Sequence, residues 1–146
     1  MFKAWLDGSC RGNGSKDSLG GIGVVIYQDE VLFGSLALQM VKHVTNNEAE
    51  YYALLRALTL IPKNEKTIIY SDSKLVVNQV NNAWKIKDKK LFDLKQAAQN
   101  LIKQFKYPVE LIWIPREMNK QANKLAQDIT SNKKSMEDST NGKNLD

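Results

Sequence analysis

The sequence predicts an α/β domain: a mixed β-sheet with a helix on at least one face. Three observations lead there. The chain has 146 residues, a length that suits one compact domain. Its 42% hydrophobic and 25% charged residues are an ordinary globular composition, which argues against general disorder, collagen and coiled coil. The apolar period also changes along the chain, from strand-like runs to helical spacing and back, in the order βββ-α-β-α-α-β-α.

Each element has its own signal. Phe2–Asp7 reads as a short strand, and the Gly-, Ser- and Asn-rich stretch after Asp7 begins as a turn. Gly20–Tyr27 and Val31–Val41 are β-branched or apolar runs separated by Gln28, Asp29 and Glu30. They predict a hairpin, making three antiparallel strands. From Asn46 to Ile61 the apolar residues fall at helical spacing, and Pro62 ends the run. Thr67–Ser71 predicts a strand and Lys74–Asn82 a short helix. Leu91–Phe105 predicts a longer helix with Leu94, Ala97, Ala98 and Leu101 inward, and Val109–Ile114 the last strand. Glu117–Ile129 predicts the last helix, with Ala122, Leu125, Ala126 and Ile129 at i, i+3, i+4 and i+7. The domain is expected over residues 1–130. Residues 131–146 show no period and are expected to form a flexible tail.

Composition excludes several classes. No apolar run approaches the roughly 20 residues of a membrane helix, and no secretory leader is evident. Cys10 is the single cysteine, so an internal disulfide and a cysteine-rich zinc site are excluded, and a reducing, cytoplasmic location is expected. The net charge of +5 is concentrated: residues 85–106 hold seven lysines against Asp88 and Asp93. A local cationic patch attracts a polyanion better than a diffuse excess, although a solvated helix face would read the same way.

Three acids stand where structure alone gives them little reason to be. Thr45-x-x-Glu48 is a capping box, which occupies Glu48. Glu50 has no such role: Ala53, Leu54, Ala57 and Ile61 lie within about 60° of it on the helical wheel, on the core-facing stripe. A carboxylate there is costly unless it is paired or binds a metal; the alternative is a part-exposed first-turn acid favoured by the helix dipole. Asp72 ends a strand that runs into a helix, where capping is its alternative role. Asp7 ends Trp5-Leu6-Asp7, where its alternative is an ordinary turn residue. If these ends converge, the three carboxylates could not all stay ionised without a cation. Oxygen ligands without Cys or His favour Mg²⁺ or Mn²⁺. Beside a cationic patch, such a cluster points to metal-assisted phosphodiester chemistry.

Four motifs then carry a resemblance. Asp7-Gly8-Ser9-Cys10-Arg11-Gly12-Asn13-Gly14, Thr45-Asn46-Asn47-x-x-Glu50, Tyr70-Ser71-Asp72-Ser73, and Pro115-Arg116-Glu117-x-Asn119-x-x-x-Asn123-x-Leu125-Ala126 resemble the type 1 ribonucleases H over about residues 1–130. The resemblance implies a ribonuclease H-like fold: a five-stranded mixed sheet of order 3-2-1-4-5, its first three strands antiparallel, with helices on both faces. It implies endonucleolytic cutting of the RNA strand of an RNA–DNA hybrid, leaving 5′-phosphate and 3′-hydroxyl ends. It places the carboxylates on Asp7, Glu50 and Asp72, with two Mg²⁺ ions bound in the presence of substrate and Mn²⁺ as a substitute. Asp7 would bridge both ions; one would activate water, and the other, near Glu50 and Asp72, would stabilise the departing 3′-oxygen.

The fourth position departs from the family, which usually has Asp where this chain has Asn123. An amide oxygen can touch a metal, but it has no charge and its NH₂ repels a cation. Weak occupancy of the water-activating ion and low turnover follow, so a catalytically inactive hybrid-binding module is the alternative; a DNA-directed nuclease on the same fold is a third. Asp128 is on a different helix face and is a poor substitute. Gly8, Ser9, Cys10, Gly12 and Asn13 are expected to approach the RNA 2′-hydroxyls, with Asn46 and Asn47 reaching base edges or sugar. Thr45 and Asn47 are expected near a DNA phosphate at the helix N-terminus. Lys74 lies two residues after Asp72, where the family often has Gln. Trp84 is expected on a DNA sugar beside Lys85, with core packing as its alternative. Arg116 or Glu117 stands where some members have a mobile His, and Asn119 completes the last motif. Trp5 and Trp113 are expected in the core and His43 on the surface. The expected partner is an RNA–DNA hybrid, with no membrane or protein partner and a monomeric state.

Overall fold

The computed structural model describes residues 1–12, 18–41 and 44–131. Asn13, Gly14 and His43, and the tail from residue 132, lie outside the described residues. Five strands form one sheet in the order β3-β2-β1-β4-β5. β1 (Phe2–Arg11), β2 (Leu19–Gln28) and β3 (Val31–Val41) are antiparallel; β4 (Thr67–Ser71) and β5 (Val109–Trp113) run parallel to β1. Among the described residues four α-helices connect or cover them: α1 (Asn46–Leu60), α2 (Lys74–Val80), α3 (Lys89–Ile102) and α4 (Lys120–Ser131). No described helix is long and apolar enough to cross a membrane.

The largest departure from the sequence reading is β1. It continues through Asp7 to Arg11 instead of turning there, because every residue from Phe2 to Arg11 pairs with β2. Its other edge is shorter: the ladder with β4 ends at Leu6 opposite Ser71. Asp7 is therefore inside a strand on one side and just past the end of a ladder on the other. Three helices also have shifted ends. α2 stops at Val80, α3 runs from Lys89 to Ile102, and Glu117 lies in a 3₁₀ turn (Arg116–Met118) before α4 begins at Lys120. The α3 start is set by Asp88, whose carboxylate accepts the Leu91 N–H at 3.0 Å.

The faces follow from strand alternation. Phe2, Ala4 and Leu6 are buried toward α1, along with Ile22, Val24 and Ile26 of β2. Tyr51, Leu54, Leu58 and Ile61 of the α1 segment complete that core, with Ile69 from β4 and Val76 from α2. α4 lies on the opposite face, seated on Gly21 and Gly23, where any Cβ would run into the Ala126 and Ala122 carbonyls. Ser9 Oγ donates to Ala126 O at 3.1 Å and the Arg11 guanidinium to Thr130 O at 3.0 Å, fixing α4 alongside β1.

Candidate active site

Three carboxylates meet where the β1–β4 ladder ends. One oxygen each of Asp7, Glu50 and Asp72 lies within 4.8 Å of the others. Asp7 comes from the α4 side of β1 and is 2% exposed. Glu50 arrives from the first turns of α1, on the other side of the sheet. Gly8 makes this approach possible, because a Cβ there would collide with the Ala49 carbonyl and the Glu50 nitrogen. The Gly8 N–H then donates to Glu50 Oε1 at 2.9 Å. Thr45 and Glu48 form the capping box, with both hydrogen bonds at 3.1 Å, so Glu48 is occupied outside the cluster and also meets Lys90 Nζ at 3.4 Å. Asp72 is free of the capping role, which belongs to Ser73, whose hydroxyl accepts the Val76 N–H at 3.2 Å.

The electrostatics follow from crowding. Burial, then the Asp72 charge, pushes the Asp7 carboxyl from 3.8 up to about 7. The positive charge of Arg116 and the hydrogen bond from Asn123 oppose that rise. Glu50 is pushed well above its ordinary value, first by burial and then by the Asp7 and Asp72 charges, while the Gly8 N–H pulls it back. Three carboxylates thus outweigh the one positive charge that acts on Asp7, that of Arg116, and the clustered donors are carboxylate oxygens. That chemistry suits a hard divalent cation.

Asn123 stands on α4 with its amide Nδ2 donating to Asp7 Oδ2 at 2.7 Å. The amide therefore occupies a lone pair that a cation at Asp7 would need. Asn119, expected from its motif among the substrate-binding residues, is 1% exposed and bonds its neighbours in the site. Its Nδ2 donates to Leu6 O at 2.8 Å and to Asp72 Oδ2 at 3.3 Å, tying the carboxylate of one strand end to the backbone of the other. Its Oδ1 is buried without a partner among the described residues.

The remaining sequence-derived residues divide into two groups. Gly8, expected to give substrate access to the backbone, is buried and serves the α1 approach. Ser9 and Cys10 use their side chains internally; the thiol contacts Val44 O at 2.7 Å. Thr45 accepts from Glu48. The second group faces outward: Gly12 (φ 80°), Asn46, Asn47, Lys74, Lys85 and Arg116 are all exposed. Trp84 is 47% exposed on the α2–α3 connection, which removes core packing as its role. Trp113, expected in the core, is 39% exposed instead: it ends β5 beside Asp72, and its indole N–H donates to Asp72 O at 3.1 Å. Trp5 is half-buried, stacked on Tyr70 with 5.0 Å between ring centres.

A family model described as reverse transcriptase-like matches residues 6–129. That span holds all four motifs and all three carboxylates. The chain belongs to the type 1 ribonuclease H family. It is 36% identical over 124 residues to the bifunctional protein Rv2228c of Mycobacterium tuberculosis, covering 84% of this chain and 33% of that protein. The solved N-terminal ribonuclease H domain of Rv2228c superposes with a TM-score of 0.80 at 30% identity, covering 92% of this chain and 96% of that one. The structure of LC11-RNase H1 in complex with RNA/DNA hybrid superposes at 0.79 with 26% identity, covering 93% and 99%. The chain spans about a third of the length of the mycobacterial relatives and about half that of the Clostridium botulinum ribonuclease H. The family's sheet order is the one this chain adopts. Glu50, the acid on the core-facing stripe, is the α1 carboxylate in the cluster.

Proposed function

We propose that this chain is a divalent-metal-dependent endonuclease that hydrolyses the RNA strand of RNA–DNA hybrids, with its turnover held low by Asn123. The observation that carries the reading is the convergence of Asp7, Glu50 and Asp72 within 4.8 Å in a chain of this family. These three residues would hold Mg²⁺, or Mn²⁺ in its place. When bound, the ions supply an activated water and neutralise charge at the departing 3′-oxygen, so that 5′-phosphate and 3′-hydroxyl ends result.

The chain's own residues prepare that chemistry. Gly8 N–H aims Glu50, Asn119 fixes Asp72, and Arg116 sets a positive charge near Asp7. The open strand-end placement of the cluster suits a polymer duplex. Asn46, Asn47 and Gly12 are exposed for minor-groove contact, and Asn13, outside the described residues, would join them. Trp84 and Lys85, both exposed, and the lysines of α3 would meet the DNA backbone. The working unit is residues 1–130, acting as a monomer in the cytoplasm, with the tail outside it.

A second reading is a hybrid-binding module without turnover. The 2.7 Å amide–carboxylate contact between Asn123 and Asp7 favours it, because the contact satisfies Asp7 without a metal. Cleavage and binding of labelled hybrid, double-stranded RNA and double-stranded DNA in Mg²⁺ and in Mn²⁺ separate the readings. Asn123→Asp is expected to raise hybrid cleavage by on the order of 100-fold and leave binding near its starting level. A folded Asn123→Asp protein that binds hybrid and cuts nothing establishes the binding module instead. Cleavage confined to DNA would point to a DNA-directed nuclease.

A further inference from the structure

Trp113 and Lys74 form a unit that nothing in the carboxylate chemistry explains. Trp113 ends β5, paired in register with Ser71 of β4. The next residue continues the join: Ile114 N–H donates to Ser71 O at 2.9 Å. The indole extends across the strand end toward the first turn of α2. Its N–H is fixed on the Asp72 carbonyl at 3.1 Å. Its ring carries the Lys74 ammonium 4.8 Å from the ring centre, well inside cation–π range. A large aromatic ring left 39% exposed is thus held at both ends by contacts to the segment that carries Asp72.

A lysine on an exposed first turn ordinarily samples many rotamers, and ordering it for a phosphate contact costs entropy. A ring beneath the ammonium restricts that search. It leaves the outward side of the ammonium open to an anion, because the π face satisfies only one side of the charge.

We infer that Trp113 is a positioning residue that holds Lys74 against the strand end, so that Lys74 contacts a backbone phosphate of the nucleic acid next to the carboxylates. This inference rests on the hybrid-directed reading above and adds a specific phosphate contact to it.

The test is equilibrium binding of a labelled RNA–DNA hybrid, with Ca²⁺ as the metal, across about 50 to 200 mM salt. Lys74→Gln is expected to weaken binding several-fold at low salt and to lower the slope of log affinity against log salt by roughly one. Trp113→Leu is expected to lower the slope by a similar amount. Trp113→Phe, which keeps a π face, is expected to recover part of it. The double variant Lys74→Gln/Trp113→Leu is expected to bind no worse than the weaker single variant, because the two residues act as one. Thermal melting accompanies each variant, and Trp113→Phe is the informative protein if Trp113→Leu melts early. An unchanged salt slope in Lys74→Gln, or additive losses in the double variant, overturns this inference while leaving the nuclease reading intact. A starting protein that binds no hybrid at all overturns both.

Discussion

At the scale of single residues, the decisive pair is Asp7 and Asn123. Asp7 is held protonated up to about pH 7 by burial and by Asp72, and Glu50 is raised in the same direction. The sign of the stability effect follows. Between the ordinary carboxylate range and about pH 7 the fold binds more protons than the unfolded chain, so stability falls as pH rises through that window. Above it Asp7 is ionised in both states and its contribution stops changing. The melting temperature of chelator-treated protein is therefore expected to fall from pH 5 to pH 7.5. Asp7→Asn is expected to flatten that fall and to melt roughly 5 °C higher at pH 7.5, while Asn123 still finds an acceptor in the new amide. An unchanged pH profile in differential scanning calorimetry would show that the cluster is not strained. The Asn123 substitution was legible in the sequence because it breaks a motif. The 2.7 Å contact it makes with Asp7 was not, since that depends on how closely α4 approaches β1.

At the scale of elements, glycines set the approach distances. Gly8 lets α1 come close enough for Glu50 to reach Asp7, and Gly21 and Gly23 do the same for α4. Gly8→Ala is expected to destabilise the fold by about 3 kcal/mol and to abolish hybrid cleavage in the Asn123→Asp background, measured by urea unfolding and by product formation. Ser73→Ala tests a different element. Loss of the cap on α2 is expected to cost about 1 kcal/mol, with cleavage reduced less than by Gly8→Ala. Helical periodicity identified the inner face of α1, and Ala53, Leu54, Ala57 and Ile61 are all buried. The same reasoning misjudged β1. Glycine and serine after Asp7 signalled a turn, but pairing with β2 and the neighbouring helices reward small residues within a strand. Trp113 was misread for a related reason. An aromatic residue at the end of an apolar strand suggests core, and only the position of α2 reveals that its ring closes over a surface lysine.

At the scale of the whole molecule, the fold class and strand order were legible because the element sequence and four spaced motifs agree. The site could be read as a set of residues but not as a geometry, since Asp7, Glu50 and Asp72 lie on three separate elements. Joining them by a metal should be visible globally. At pH 8, Mg²⁺ is expected to raise the melting temperature by a few degrees through binding to the folded state alone, and chelation should reverse it. At pH 5, where Asp7 holds its proton, the same addition is expected to do little.

The unequal edges of β1 have one more consequence. Asp7 is locked by ladder partners along its full strand, Glu50 by a helix backbone, and Asp72 by Asn119. None of the three sits on a long loop that could adjust its reach. A rigid set of oxygens discriminates by ionic radius: Mg²⁺ sits about 2.1 Å from its ligands, whereas Ca²⁺ needs about 2.4 Å and more of them. Calcium should therefore lodge in the cleft and tether the duplex while leaving the phosphodiester intact, making it an inhibitor by size alone.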